Sequence, residues 1–369
     1  MMMRIVFLTT IVILLQVFTY LAARGLGWWL SLSPKPRRRL MIACFAISNL
    51  FLVGLFIGIF RLTIGYLAVL WVLMMAMAVG LGVYWLLKAL KKPADRPTKI
   101  ITPLVFIGLI LSGFYHAYTP TVKYLSLTLD KPMPTDVRIA LVSDLHLGAM
   151  VGSRQLDKLA KLLKDEHVDV LLMPGDIMDD DVIYYHQEGM ESHFADVVAS
   201  APAAVSSLGN HDIYRAHAQD DIIQAIQQAG SILLDDKVTT ITVSKGGLST
   251  PLTIIGRIDD HDKSRATTAE LVAMADVSHP VILLDHRPSQ LETNSRLPID
   301  LQLSGHTHRG QVFPANLIVN AINRIGYGYD KVGDMHAVVT SGYGFWGVPL
   351  RIGSQAEIWI IDLSGQSSP

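Results

Sequence analysis

Two histidines separated by a single residue carry the clearest chemical signal in this chain. They are His306 and His308 of LSGHTHRGQ (residues 303–311), which follows the apolar run at residues 299–303. A short apolar run that ends in glycine is typical of a buried strand passing into a loop. Alternate residues of an extended chain point to the same side. The pair is therefore expected to present two imidazole rings to one small volume at the carboxyl end of a strand.

Four further stretches repeat this arrangement, in which an apolar run is followed by residues that can bind a metal. Those residues are Asp144 and His146, Asp176, Asn210 and His211, and His286. Apolar runs alternate with helical patterns such as the amphipathic residues 154–166, which indicates an α/β architecture. In such sheets, binding sites form beyond the carboxyl ends of the strands. We therefore expect the five stretches to meet at one edge of a sheet.

The combined donor set indicates which ions it could bind. It contains carboxylates, one amide oxygen and imidazoles but no thiolate: Asp144, His146, Asp176, Asn210, His286, His306 and His308. This mixture suits divalent Mn, Fe, Zn or Co, and it differs from the cysteine-rich structural zinc sites. The donors are too many for one ion. A carboxylate that bridges two ions about 3.5–4 Å apart is typical of hydrolases that activate water and stabilise charge on phosphate oxygens.

The five blocks resemble the calcineurin-like metallophosphoesterases and occur in that family's order. They read DLH at residues 144–146, GD at 175–176, GNHD at 209–212, a lone His286, and GHTH at 305–308. The later stretches RGQVFP (309–314) and SGYGFWGVPLRIG (341–353) are similar to a membrane-associated bacterial phosphodiesterase branch. The resemblance covers about residues 137–363. It implies a four-layer α-β-β-α sandwich.

The resemblance also implies a role for each residue. The implied ligands form two sets joined by a bridge: Asp144, His146 and His308 for the first metal, Asn210, His286 and His306 for the second, and Asp176 for the bridge. His211 would face the substrate as an acid or transition-state stabiliser, with Asp212 orienting it from behind. Arg309 stands where glycine is common in the family, and it could reach a phosphate oxygen. Asp285 is expected to lie behind His286.

Other polar and aromatic residues are left outside the predicted site. The acid run at residues 179–181 is expected to be solvated or to cap a helix. The loop residues Phe345, Trp346, Val348 and Leu350 are expected to pack in the interior of the domain rather than against lipid.

Residues 1–120 differ in composition from the rest and are predicted to form a membrane domain. Four segments carry no charged residue and are long enough to span a bilayer, which takes about 20 apolar residues in a helix: residues 5–23, 40–60, 62–87 and 100–118. The first segment could instead be the centre of a signal peptide. That interpretation would export the following loop with its five basic residues, which is disfavoured, so an uncleaved helix is favoured. Residues 121–369 are predicted to form the phosphoesterase domain.

Charge is divided between these two parts. Residues 1–100 hold 12 Lys and Arg and a single acid, Asp95, whereas the remainder holds 19 basic and 31 acidic residues. The basic residues concentrate in the first and third loops between apolar segments, which predicts that those loops are cytoplasmic and the catalytic part extracytoplasmic. Basic loops of this kind suit anionic lipid headgroups, and we predict no nucleic-acid partner. A single cysteine, Cys44, excludes a disulfide within one chain.

These observations predict an integral enzyme of the bacterial cytoplasmic membrane with two divalent metal ions. It would hydrolyse a phosphate ester, with a lipid or envelope phosphodiester favoured, through attack by a metal-bound hydroxide. Two alternatives stay open. One is a nucleotide-lipid pyrophosphatase of the UDP-diacylglucosamine hydrolase type, which the chain also resembles but whose substrate lies on the cytoplasmic side. The other is a non-catalytic metal-binding membrane scaffold or sensor, which the presence of Asp176 and His211 disfavours.

Overall fold

The structure is a computed structural model that describes residues 2–54 and 60–366 of the chain. It divides into two compact units, Met1–Tyr115 and His116–Pro369. The first unit is helical, and the second is built on two β-sheets.

Four long helices make up the amino-terminal part: α1 (Met2–Trp29), α2 (Pro34–Val53), α3 (Phe60–Ala89) and α4 (Asp95–Tyr118). Three stretches of them are long and apolar enough to cross a membrane, namely Thr9–Trp29, Arg61–Ala89 and Asp95–Tyr118. The predicted second span, residues 40–60, is helical through Val53 in α2, and residues 55–59 lie outside the described residues. Four basic residues in the first turns of α2 lower its apolar character. Within the described residues, three of the four predicted spans are thus supported by length and composition.

The second unit contains twelve strands in two six-stranded sheets. In chain order they are β1 (Thr121–Pro132), β2 (Val137–Leu141), β3 (Val170–Pro174), β4 (Ala203–Ser207), β5 (Ile232–Leu233), β6 (Lys237–Lys245), β7 (Leu248–Arg257), β8 (Val281–Asp285), β9 (Leu301–Ser304), β10 (Gly328–Val332), β11 (Met335–Val339) and β12 (Glu357–Gln366). One sheet has the order β1-β12-β2-β3-β4-β5, and the other has the order β10-β11-β9-β8-β7-β6.

The described part of the second unit also contains eight α-helices. They are α5 (Ser153–Asp165), α6 (Ile183–Gln187), α7 (Glu191–Val198), α8 (Asn210–Ile213), α9 (Gln219–Gln228), α10 (Thr268–Ala273), α11 (Leu291–Asn294) and α12 (Ala315–Ile322). One apolar cluster lies between the sheets, one joins the first sheet to α5, α7 and α9, and a third joins the second sheet to α10 and α11. The predicted α-β-β-α sandwich is therefore confirmed.

Burial explains why the apolar runs form the central strands. Every residue of β3, β8 and β9 is buried, as expected for parallel strands that are covered on both faces. The helix predicted at residues 154–166 is observed as α5, and Leu156, Leu159 and Leu163 form its buried face. The strands β2, β3 and β4 run parallel, as do β7, β8 and β9. Their carboxyl ends carry the loops that contain the predicted ligands.

Candidate metal centre

The loops that carry the candidate ligands have an unusual backbone. Asp144, His146, Asp176, His306 and His308 all adopt left-handed conformations, with φ between +46° and +66°. Such a backbone costs about 1–3 kcal/mol per non-glycine residue, and it persists only where the surrounding structure enforces it. These five residues lie in three loops, each of which follows a strand. Strain of this kind concentrates at functional sites.

The first donor cluster consists of Asp144, His146 and His308. Its candidate ligand atoms lie within 4.8 Å of one another, and all three residues are buried. Nε2 of His146 is 3.1 Å from Nε2 of His308, which is 3.4 Å from Oδ1 of Asp144. Two ring nitrogens and a carboxylate that converge in this way form an arrangement suited to a divalent cation.

The second donor cluster consists of Asp176, His286 and His306, whose candidate ligand atoms also lie within 4.8 Å of one another. Nδ1 of His286 donates a hydrogen bond to the carbonyl oxygen of Pro174 at 2.8 Å. In the neutral ring this bond places the proton on Nδ1 and the lone pair on Nε2, which is the tautomer that a metal ligand requires. Oδ1 of Asn210 is buried without a hydrogen-bond partner. Buried polar atoms are rarely left in this state, and a cation would satisfy this oxygen.

Asp176 lies against both clusters. Its Oδ2 is 3.1 Å from Nε2 of His286 and 3.7 Å from Nε2 of His146. Its Oδ1 accepts a hydrogen bond from the backbone N–H of His211 at 2.8 Å, which fixes the carboxylate in its loop. One carboxylate oxygen thus faces a ring nitrogen from each cluster, as a bridge between two ions would.

The electrostatics of the site also fit bound cations. Burial lowers the pKa of His146 and His306 to about 3, so both rings are neutral near pH 7 and their lone pairs are available. Burial alone would lower the pKa of His286, but the Asp176 carboxylate outweighs it and raises that pKa to about 10. His286 in turn holds the pKa of Asp176 well below its usual range, although burial opposes this. The protonated His286 ring therefore supplies the positive charge beside the ionised Asp176 carboxylate, and a divalent metal would take over this role by replacing the proton on Nε2. The donor set therefore fits such ions.

His211 has a different partner from the one predicted. Its Nδ1 lies 2.7 Å from Oδ1 of Asp180, and this contact raises the pKa of His211 although burial opposes it. Asp212 instead accepts hydrogen bonds from the backbone N–H groups of Met178 and Gly209, each at 2.9 Å. The prediction that Asp212 orients His211 was therefore wrong. Asp212 joins two ligand-bearing loops, because a buried carboxylate must find donors and the nearest ones belong to the backbone.

The acid run at residues 179–181 was also misjudged, because its first two residues lie against the histidines of the site. Besides the contact of Asp180 with His211, Oδ1 of Asp179 lies 3.7 Å from Nδ1 of His211 and 4.0 Å from Nδ1 of His146. Asp181 forms an ion pair with Arg215, whose Nη1 lies 2.6 Å from its Oδ2. A signal was present in the sequence, since the run begins only three residues after Asp176 in the same loop.

Charged residues outside the clusters support the ligand loops. Asp285 is fully buried and pairs with Arg257 at 2.9 Å and Arg265 at 3.0 Å, which anchors the end of β8 next to His286. Arg351 is also fully buried and was missed by the sequence analysis. It donates hydrogen bonds to three carbonyl oxygens of the loop that packs against Asp144: those of Ser341, Gly342 and Gly344. Arg309 belongs to neither cluster, and its guanidinium carbon lies 4.2 Å from the centre of the Tyr327 ring.

The comparisons with known proteins agree with this geometry. Residues 137–310 match the family model of the calcineurin-like phosphoesterases, so the chain contains a domain of that family. An uncharacterized metallophosphoesterase of Helicobacter pylori is 29% identical over 264 residues, which cover 69% of this chain and 67% of that protein. A transmembrane protein with a metallophosphoesterase domain from Bos taurus is 26% identical over 293 residues, which cover 73% of this chain and 62% of that protein. The family predicted from the sequence is thus confirmed.

A crystal structure of a 5'-nucleotidase precursor from Thermus thermophilus aligns with 62% of this chain, at 13% identity and a TM-score of 0.40. The aligned part spans 55% of that chain. The family assignment rests on the sequence matches, and family membership implies a phosphoric ester hydrolase that uses divalent metals.

A prediction follows from the close packing of Gly209. A Cβ at this position would collide with the carboxylate and the backbone nitrogen of Asp176. We expect Gly209→Ala to destabilise the second unit by about 1–3 kcal/mol and to reduce metal content, because overpacking forces the bridging loop to move. Thermal unfolding and elemental analysis of the full chain measure both effects. Gly152→Ala is the matched control, because its Cβ would meet only the flexible Met190 side chain at 3.4 Å. Equal melting and equal metal content of the two variants would contradict the prediction.

Proposed function

We propose that this protein is a membrane-anchored phosphodiesterase with a binuclear metal centre. The observation that carries the proposal is the position of Asp176, whose Oδ2 faces one histidine of each donor cluster. A carboxylate shared between two clusters of histidines supports a pair of adjacent ions rather than a single one. Cations at these positions would lower the pKa of a shared water and stabilise the charge that develops on the phosphate oxygens.

The side chains of the site would have separate roles in metal binding, proton donation and phosphate binding. Asp144, His146 and His308 would hold the first ion, and Asn210, His286 and His306 would hold the second. His211 would donate a proton to the leaving oxygen. Its Nδ1 faces Asp180, so Nε2 is the nitrogen that remains to meet a substrate. Arg309 would bind a phosphate oxygen after leaving its contact with Tyr327.

The predicted membrane anchor favours substrates that lie in or near a membrane. Among the described residues, three helices are long and apolar enough to cross a bilayer, and the last of them ends three residues before β1 of the catalytic unit. A domain held this close to a membrane meets lipid and envelope phosphodiesters at high effective concentration. The basic residues of the first and third loops favour a cytoplasmic position for those loops, which would place the catalytic unit outside the cytoplasmic membrane of a bacterium.

The test of the activity uses the full chain in detergent, stripped of metal and refilled with manganese. We expect it to hydrolyse bis-p-nitrophenyl phosphate with a higher kcat/KM than p-nitrophenyl phosphate. Activity should disappear with chelation and return with metal. A folded, metal-loaded protein that cleaves neither ester would favour the non-catalytic scaffold. A preference for the monoester would refute the diesterase assignment while keeping the phosphoesterase class.

The side of the membrane is tested separately with a reporter fused after Pro369. An alkaline phosphatase fusion should be active and a fluorescent protein that folds only in the cytoplasm should be dark. The opposite result would refute the outward orientation. It would favour the nucleotide-lipid pyrophosphatase, whose substrate lies on the cytoplasmic side.

A further inference from the structure

The short helix α12 exposes an apolar face that the catalytic unit does not cover. Leu317, Ile318 and Ile322 are 57%, 58% and 74% exposed, and no residue of α12 is buried. At 100° per residue these three side chains fall within one face of the helix. The chain carries no charged residue from Gly310 to Ile322. We call Leu317, Ile318 and Ile322 the α12 face.

Ordinary packing does not account for the α12 face. The helix is apolar but contributes nothing to the three clusters that form the interior of the sandwich. Clustered apolar side chains that face water carry an unfavourable free energy, and they mark sites that another apolar phase covers. The absence of charge on the segment also excludes an acidic or basic partner surface as the main attraction.

The chain itself indicates which apolar phase is within reach. The loop of residues 341–353 touches both the end of α4 and the segment that leads into α12. On one side, the ring of Phe345 packs edge-to-face on Tyr118, the last residue of α4, with 5.3 Å between ring centres. On the other, the side-chain amide of Gln311 bonds to the backbone of Trp346 at 2.9 and 3.0 Å. Within the catalytic unit, contacts along this loop therefore connect Tyr118 to the segment that precedes α12.

We propose that α12 is an interfacial helix that inserts the α12 face into the lipid bilayer crossed by α4. The inference rests on the membrane anchoring proposed above. A helix with an apolar face and a polar opposite face lies in the plane of a bilayer with its apolar face among the acyl chains. In α12, Asn316 and Asn320 lie opposite the α12 face. Trp346, which is 38% exposed on the connecting loop, is a residue type that favours the headgroup region.

Insertion of α12 would bring the metal centre to the lipid surface. The helix begins five residues after Gly310, and Gly310 ends the 3₁₀ turn His308–Gly310 that carries a ligand. A Cβ at Gly310 would collide with the backbone of Ala315 and Asn316, so the turn and the start of α12 are in direct contact. A lipid whose acyl chains stay in the bilayer could then present its phosphodiester to the ligand loop. The substrate class assigned by this surface is a phosphodiester with a membrane-embedded tail.

The first experiment measures insertion without using activity. Single cysteines replace Ile318 or Ile322 in a full-length Cys44→Ser background, and each is labelled with an environment-sensitive fluorophore. The protein is reconstituted in nanodiscs of phosphatidylethanolamine and phosphatidylglycerol with nitroxide-labelled lipids. We expect a blue-shifted emission and strong quenching at both positions. Met274, an apolar residue that is 64% exposed elsewhere on the unit, provides the matched control position and should stay unquenched.

Two results would overturn the proposal. Quenching at 318 and 322 no greater than at 274 would mean that the face stays in water. Shielding of both positions from lipid nitroxides and from a water-soluble quencher would mean that a protein, such as a second copy of the chain, covers the face. These outcomes are independent of whether the enzyme turns over, so failure of this proposal is distinguishable from failure of the proposed activity.

The second experiment tests the consequence for substrate choice. Leu317→Gln with Ile322→Gln keeps helix-forming residues while removing the apolar face. We expect kcat/KM for a phosphodiester lipid in vesicles to fall on the order of tenfold or more, with bis-p-nitrophenyl phosphate cleaved as before. Met274→Gln should change neither value. Equal losses on the lipid and on the soluble ester would indicate damage to the site and would contradict the role assigned to α12.

Discussion

Replacing Asp176 by Asn is expected to lower turnover of bis-p-nitrophenyl phosphate by about a thousandfold, equivalent to roughly 4 kcal/mol of activation free energy. The substitution keeps the shape of the side chain but removes the charge that faces both clusters at once. Each ion would lose a ligand, and the His286 ring would lose the carboxylate that raises its pKa. We therefore expect metal content, measured by elemental analysis after dialysis, to fall from about two ions per chain to one or fewer.

The matched control for this prediction is Asp181→Asn in the neighbouring stretch of the same loop. Asp181 pairs with Arg215 and belongs to neither donor cluster. Loss of a partly exposed ion pair costs little, and turnover should stay within about twofold of the parent protein. If Asp176→Asn keeps two tightly bound ions and full turnover, the bridging role is refuted. If Asp181→Asn loses as much activity as Asp176→Asn, the loss reflects damage to the loop rather than to the bridge.

The second large effect is expected at His211. We expect His211→Gln to reduce kcat by about a hundredfold or more for a diester with an alkyl leaving group, and by much less for a p-nitrophenyl diester. An alkoxide needs a proton to leave, whereas p-nitrophenolate is stable without one. Comparison of the two substrates at saturating metal separates this role from a structural one. His186→Gln, at an exposed histidine paired with Glu191, is the matched control and should change neither rate. Equal losses on both diesters would contradict proton donation.

Asp180→Asn tests proton donation by His211 through the pH dependence of kcat. The contact with Asp180 raises the pKa of His211 against the opposing effect of burial. Without that contact the pKa of His211 falls, so the ring loses its proton at a lower pH. The high-pH limb of the kcat profile should therefore move to lower pH in Asp180→Asn, with a loss of roughly tenfold at neutral pH. A profile that keeps its shape would show that Asp180 does not act through His211.

The sequence by itself determined the fold class, the family and the residues that meet. Buried parallel strands such as β3 and β8 are continuous apolar runs, so their position and ends can be predicted from local pattern. Once the strands are placed, topology alone brings the residues that follow them to one edge. Asp144, Asp176 and His306 could therefore be grouped without any knowledge of distances. The apolar segments of the first unit could also be predicted from the sequence. The second of them includes residues outside the described part of the chain.

The tertiary structure decided which groups are partners within the site. Asp179, Asp180 and Asp212 are all plausible partners of His211 from the sequence. In the folded chain, Oδ1 of Asp180 lies 2.7 Å from Nδ1 of His211. Such choices depend on loop geometry at the scale of an ångström, which no residue periodicity encodes. The same holds for Arg351, whose burial depends on carbonyl groups of a loop that turns back toward it. It also holds for α12, whose apolar pattern could equally have predicted a buried helix. Hydrophobic periodicity specifies that a face must be covered, but only the packed chain determines whether the protein covers it.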